Sequence, residues 1–113
     1  MFELNGKDFY CPMEVTLHIL NDKWKMFIVY ALLNGPMRFK DICEKFPTIT
    51  QKTISQKLKE LETSKMIDRT VYAQVPPKVE YSLTETGKNI GPMVKSMYDF
   101  GLLYIQQHGC EKK

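Results

Sequence analysis

Two alternating runs of residues, placed directly behind a series of short helical segments, limit the possible folds of this chain most. Residues 67–73 put Ile67, Val71 and Ala73 on one side, and residues 78–83 do the same with Val79, Tyr81 and Leu83. The intervening Gln74-Val75-Pro76-Pro77 cannot continue a strand ladder, because proline lacks an amide hydrogen. The pattern predicts a β-hairpin with a stiff loop at 74–78. Ahead of it, apolar residues recur at helical spacing over 12–20, 23–33, 39–46 and 51–64. Trp24, Phe27, Ile28, Ala31 and Leu32 share a face of the second helix, and Phe39, Ile42, Cys43 and Phe46 anchor the third. Pro12 suits a first helical position, Asn34-Gly35-Pro36 ends the second helix, Pro47 stops the third, and Thr50 is a good N-cap. Behind the hairpin, Thr84 caps a further helix that Gly91-Pro92 interrupts, and a last helix runs over 92–107. The expected fold is α+β and mostly helical: a winged helix-turn-helix with a β-hairpin wing and a C-terminal dimerisation helix. Residues 1–10 read as an N-terminal arm, 11–108 as the domain and 109–113 as a mobile tail.

The helix at 51–64 carries the functional signal. With successive side chains turned by ~100°, Leu58 and Leu61 fall within ~40° of Ile54, while Lys52, Ser55, Gln56, Lys59 and Thr63 lie roughly 100–200° away from it. That far face is cationic and amide-bearing, holds no carboxylate, and leaves Glu60 and Glu62 towards its edges. Lysine and glutamine donate to base edges in the major groove, and hydroxyls reach bases or phosphates. Gln51, Lys52, Ser55 and Gln56 in the first turns are the expected base readers, and Lys59 a phosphate contact. Arg38 and Lys40, at the start of the third helix, suit phosphates, and Lys78, with Gln74, suits a backbone or minor-groove contact from the wing. The full DNA-contact set is Arg38, Lys40, Thr50, Gln51, Lys52, Thr53, Ser55, Gln56, Lys59 and Lys78. Charge distribution agrees: between Lys23 and Lys65 there are nine basic and four acidic residues, an excess of five where the whole chain has three.

In the last helix Met93, Met97, Phe100 and Tyr104 recur at three- and four-residue steps, with Val94, Gly101 and Ile105 in an adjoining row. This stripe is the expected dimer interface, since a domain of this size lacks the core to bury a long terminal helix. The partners expected are therefore double-stranded DNA and a second copy of the chain. A winged-helix module that binds only proteins, without specific DNA binding, is the alternative.

The three cysteines, Cys11, Cys43 and Cys110, form no CxxC pair. His18 and His108 stand far apart, and no Ser-His-Asp set, paired carboxylates or glycine-rich phosphate loop occurs, so no metal, no cofactor and no enzymatic activity are expected. The apolar run 26–33 is far short of the ~20 residues a membrane span needs. The first residues lack the regions of a signal peptide, and the expected location is the cytoplasm. Cys11 opens the first helix, whose positive end stabilises a thiolate while Asp8 and Glu14 oppose it. Cys43 reads as a small apolar filler, and Cys110 is a candidate to pair with Cys11 across a dimer.

Four motifs fit a known pattern in order and spacing: Cys11-Pro12-Met13-Glu14 with Asp22-Lys23-Trp24-Lys25; Asn34-Gly35-Pro36-Met37-Arg38-Phe39; Pro47-Thr48-Ile49-Thr50-Gln51-Lys52 continuing to Leu58-Lys59-Glu60-Leu61-Glu62; and Val75-Pro76-Pro77-Lys78-Val79-Glu80-Tyr81-Ser82-Leu83-Thr84-Glu85-Thr86-Gly87. Over 11–104 the chain resembles HxlR-type transcriptional regulators, a MarR-like branch of winged-helix proteins. The resemblance implies a homodimeric regulator on near-palindromic operators, with its recognition helix at 51–64, its wing at 74–78 and its dimer interface on the first and last helices. A cysteine at the position of Cys11 senses oxidants or electrophiles in several members, so a small oxidant or electrophile is the effector implied.

Overall fold

The computed structural model describes residues 1–112; Lys113, the end of the expected tail, lies outside the described residues. Two short strands, β1 (Phe2–Leu4) and β2 (Lys7–Phe9), come first. They are followed by helices α1 (Pro12–Ile19) and α2 (Lys23–Leu32), strand β3 (Met37–Arg38), and helices α3 (Phe39–Lys45) and α4 (Gln51–Thr63). The hairpin β4 (Ile67–Tyr72) and β5 (Lys78–Leu83) leads into α5 (Glu85–Asn89) and α6 (Gly91–His108). This is an α+β winged helix-turn-helix, in which β3, β5 and β4 form one antiparallel sheet in that order. Ile67 pairs with Leu83 and Tyr72 with Lys78, while Met37 pairs with Tyr81. No helix of the described residues is long and apolar enough to cross a membrane.

Capping explains most helix boundaries. The Asp22 carboxylate accepts from the Lys25 amide at 3.0 Å to open α2, and the Thr50 hydroxyl accepts from the Thr53 amide at 3.1 Å to open α4. At the start of α1 the Glu14 carboxylate accepts from the amides of Tyr10 and Cys11 at 2.7 and 2.9 Å. Helix α4 ends in a Schellman motif: Met66 N donates to Leu61 O and Lys65 N to Glu62 O, with Lys65 at φ 64°. A side-chain clasp follows. The Thr84 hydroxyl donates to the carbonyls of Lys65, at 2.6 Å, and Met66, and accepts from Gly87 N at 3.0 Å. Gly87 is buried so tightly against this joint that a Cβ there would run into the Met66 carbonyl oxygen.

The core gathers Ile28, Val29 and Leu32 of α2, Ile42 of α3, Ile54, Leu58 and Leu61 of α4, and Met66, Ile67 and Leu83 around the hairpin. Four expectations need revision. Residues 1–10 are not a plain arm: β1 and β2 form a hairpin that closes at Asn5-Gly6 and buries Phe9 against His18, ring centroids 5.4 Å apart. The wing sheet has a third strand, β3. Phe27 faces outward, in an aromatic cluster with Trp24 and Phe46. Val71 is exposed, because β4 runs past the edge of the core beyond Ile67.

Candidate nucleic-acid interface

Helix α4 is held from behind by side chains with almost no exposure, Ile54, Leu58 and Leu61. The opposite side carries Lys52, Ser55, Gln56, Lys59 and Thr63, all exposed within the protomer, while Gln51 is exposed in the first turn beside the start of α3. Thr50 and Thr53 lie in the same first turn, but their hydroxyls are 3.0 Å apart and hydrogen-bonded to each other as part of the cap. Thr63 likewise donates to the Lys59 carbonyl at 2.9 Å. Arg38 and Lys40 are exposed beside the start of α3.

Lys78 differs from the sequence expectation. Its ammonium lies 3.2 Å from the Glu80 carboxylate and 5.0 Å from the Tyr72 ring centroid. Residues two apart on a strand share a face, so Lys78 and Glu80 meet, and the exposed tip 74–77 carries no charge. The hydrogen bond from Lys78 holds the Glu80 carboxyl below its usual range, against the upward effect of desolvation, with Tyr72 and Arg38 helping. The cationic character on offer therefore comes from α4, Arg38 and Lys40 more than from the wing.

Two ion pairs that fix α4 escaped the reading of the sequence. Lys57 Nζ sits 2.8 Å from Asp22 Oδ2, and Lys25 Nζ sits 3.6 Å from Glu60 Oε1. Both tie α4 to the start of α2 over a separation no local pattern reveals. Burial pushes the Asp22 carboxyl up, but the hydrogen bonds from Lys57 and the Lys25 amide, with both lysine charges, bring it below its ordinary value. A depressed carboxylate contributes stability that is complete above the unfolded pKa, ~4, and is lost as pH falls through the folded value. Melting temperature is therefore expected to drop on acidification below about pH 4. Asp22→Asn retains a good N-cap without the charge, and should lose less melting temperature between neutral and acid pH than the wild type. Equal losses in thermal melts across pH would discount this pair.

On α6, Met93, Met97, Phe100, Tyr104 and Ile105 are exposed within the protomer, and nothing lies within 4 Å of where a Gly101 Cβ would sit. Val94 is a correction: it is 5% exposed and belongs to the protomer's own core, where α6 leans on α2. Cys11 is half-buried at the N-cap of α1, and Cys110 is exposed. Cys43 is half-buried against the core, and burial pushes its thiol up, as suits a small apolar filler. Among the described residues no group of three His, Cys, Asp or Glu is placed to hold a metal ion.

Comparison with known proteins agrees with this geometry. The profile of the HxlR-like helix-turn-helix family matches residues 19–109. The HTH-type transcriptional regulator YkvN of Bacillus subtilis (strain 168) is 43% identical over 105 residues, spanning 93% of this chain and 89% of its own. Among solved structures, the redox regulator HypR in its reduced form superposes with a TM-score of 0.80 at 41% identity, covering 83% of this chain and 93% of that one. The reduced form of the transcriptional regulator YodB from B. subtilis gives 0.72 at 36% identity, covering 91% and 97%. A winged helix-turn-helix matched over most of its length by regulators of one kind, this chain is a transcriptional regulator of the HxlR family.

Proposed function

We propose that the chain binds double-stranded DNA sequence-specifically as a homodimer, with α4 of each protomer in the major groove of a near-palindromic operator. One observation carries the reading: a carboxylate-free strip of α4, from Lys52 to Thr63, stands exposed on a helix whose other side is locked into the core. Arg38 and Lys40 flank it as phosphate contacts, and the exposed apolar row of α6 supplies the self-complementary face. A two-fold pair places two reading helices about one DNA turn apart, ~34 Å. We place its action in the cytoplasm, and the relatives it matches are named as transcriptional regulators.

The test begins with a pool of random duplexes enriched by repeated binding. The enriched sequence should be two-fold symmetric, and light scattering should give two protomers per duplex. With Arg38, Lys40 and Lys59 contributing from each copy, log K should fall against log salt with a slope of roughly −5. No duplex affinity at low salt, with a stable protein complex instead, would favour the protein-interaction alternative.

A second reading concerns the signal. HypR, so similar in fold, is described as a redox regulator, and Cys11 stands partly accessible at the mouth of α1. We infer that oxidants or electrophiles act through Cys11. A mild thiol oxidant should change duplex affinity of the wild type and leave Cys11→Ser unaltered; the same response in both removes Cys11 as the sensor.

A further inference from the structure

The register of the wing sheet separates its two faces. Ile67 and Leu83, paired with each other, belong to the core, and Met37 and Tyr81 pack against it. Residues opposite one another across an antiparallel ladder share a face, and neighbours along a strand alternate. Arg38 lies opposite Glu80, and Tyr72 opposite Lys78. These four side chains therefore stand together on the face turned away from the core.

Glu80 is the odd member of the set. Arg38 is exposed beside it and is a proposed phosphate contact, so a carboxylate on this face works against a polyanion. The Glu80 side chain is 21% exposed, and its Oε2 lies 3.2 Å from the ammonium of Lys78, which is 28% exposed. The same ammonium sits 5.0 Å from the centre of the Tyr72 ring across the ladder. Lys78 is thus held from two strands, by a carboxylate on its own and an aromatic ring on the next. Turning Lys78 to a phosphate would leave the Glu80 charge facing the same backbone, and like charges brought together oppose binding. As a unit, the pair offers a duplex no net positive charge.

We infer that Glu80 is a positioning residue that withholds Lys78 from the phosphate backbone, so that the wing adds nothing ionic to duplex binding. It acts through Lys78, not by touching DNA. The inference rests on the DNA-binding reading and names the residue that limits sequence-independent affinity within it, since such affinity comes from neutralised phosphates. Salt dependence is then left to Arg38, Lys40 and Lys59.

Salt titrations on a random-sequence duplex test this with the wild type, Lys78→Gln, Glu80→Gln and the double variant. Lys78→Gln should keep the wild-type slope of log K against log salt, because the lysine it removes is already committed. Glu80→Gln frees a lysine in each protomer, so the slope of a dimer should steepen by about 2 and affinity at low salt should rise about tenfold. Combining the two changes should restore the wild-type slope. The assignment is overturned if Lys78→Gln alone flattens the slope, or if Glu80→Gln leaves it unaltered. It is also overturned if the steeper slope survives in the double variant, which would trace the effect to Arg38. An NMR titration of the Glu80 carboxyl, without DNA, checks the pairing itself. Lys78 holds that group low, so Lys78→Gln should raise its midpoint towards the ordinary glutamate range, and an unmoved midpoint overturns the pairing. A wild type without affinity for any duplex would instead sink the DNA-binding reading and this role with it, while the carboxyl titration still reports the pair.

Discussion

Replacing Gln51, Lys52 and Gln56 together with alanine will lower affinity for the enriched duplex by about 10²- to 10⁴-fold, with little change in melting temperature. Each well-made contact to a base edge is worth ~1–3 kcal/mol of discrimination, and losses at one reading helix do not add fully. The lower end of the range allows for that. All three side chains are exposed, and neither the core nor the ion pairs to α2 involve them. Alanine also favours helix over the residues it replaces, so the fold should be retained. Residual binding should resemble that to random duplex and keep its salt dependence, because Arg38, Lys40 and Lys59 are still present. A triple variant that binds the enriched duplex as tightly as the wild type would show that the wrong face of α4 has been assigned.

Truncating the same helix on its other side should destabilise the fold instead. Leu58→Ala removes a side chain that is 1% exposed and enclosed by the core cluster. Buried leucine-to-alanine changes cost ~2–5 kcal/mol, with the larger values where neighbours cannot collapse into the space. Leu58 lies between Ile54 and Leu61 on a helix pinned at both ends, by the Thr50 cap and by the Schellman turn at Lys65, so little collapse is available. A loss of about 3–4 kcal/mol is expected, or roughly 12–25 °C in melting temperature for a domain of this size. A shift of only a few degrees in a thermal melt would mean that α4 is held mainly by its ion pairs.

The contrast between these two variants also explains what could be read from the sequence. Helix α4 is long enough, and divided sharply enough between apolar and polar residues, that its 3.6-residue period located both faces before any coordinates. Strand β5 was legible because Val79, Tyr81 and Leu83 alternate between a proline pair and a threonine cap. Strand β3 was not, since two residues, Met37 and Arg38, cannot display a period. The first hairpin did leave a signal. Asn5-Gly6 is a two-residue turn with both φ angles positive, 52° and 80°, but strands of only three residues are too short to establish an alternating frame. Helix α6 misled at Val94 because apolar residues occupy nearly all its sides, so spacing alone could not say which one meets α2. Lys78 and the pairs Lys57–Asp22 and Lys25–Glu60 depend on neighbours in three dimensions. A local count of charges treats each lysine as available, whereas the fold commits several of them.

The clasp formed by Thr84, Met66 and Gly87 has a mechanical consequence. It joins the foot of the wing to the end of α4 through backbone carbonyls and a packed glycine, leaving no slack for the two to pivot. On the DNA-binding reading proposed above, each protomer's head is thus a single stiff casting. In a dimer, a message reaching Cys11 or α6 would then be transmitted by resetting the separation and tilt of two rigid heads, not by bending either one.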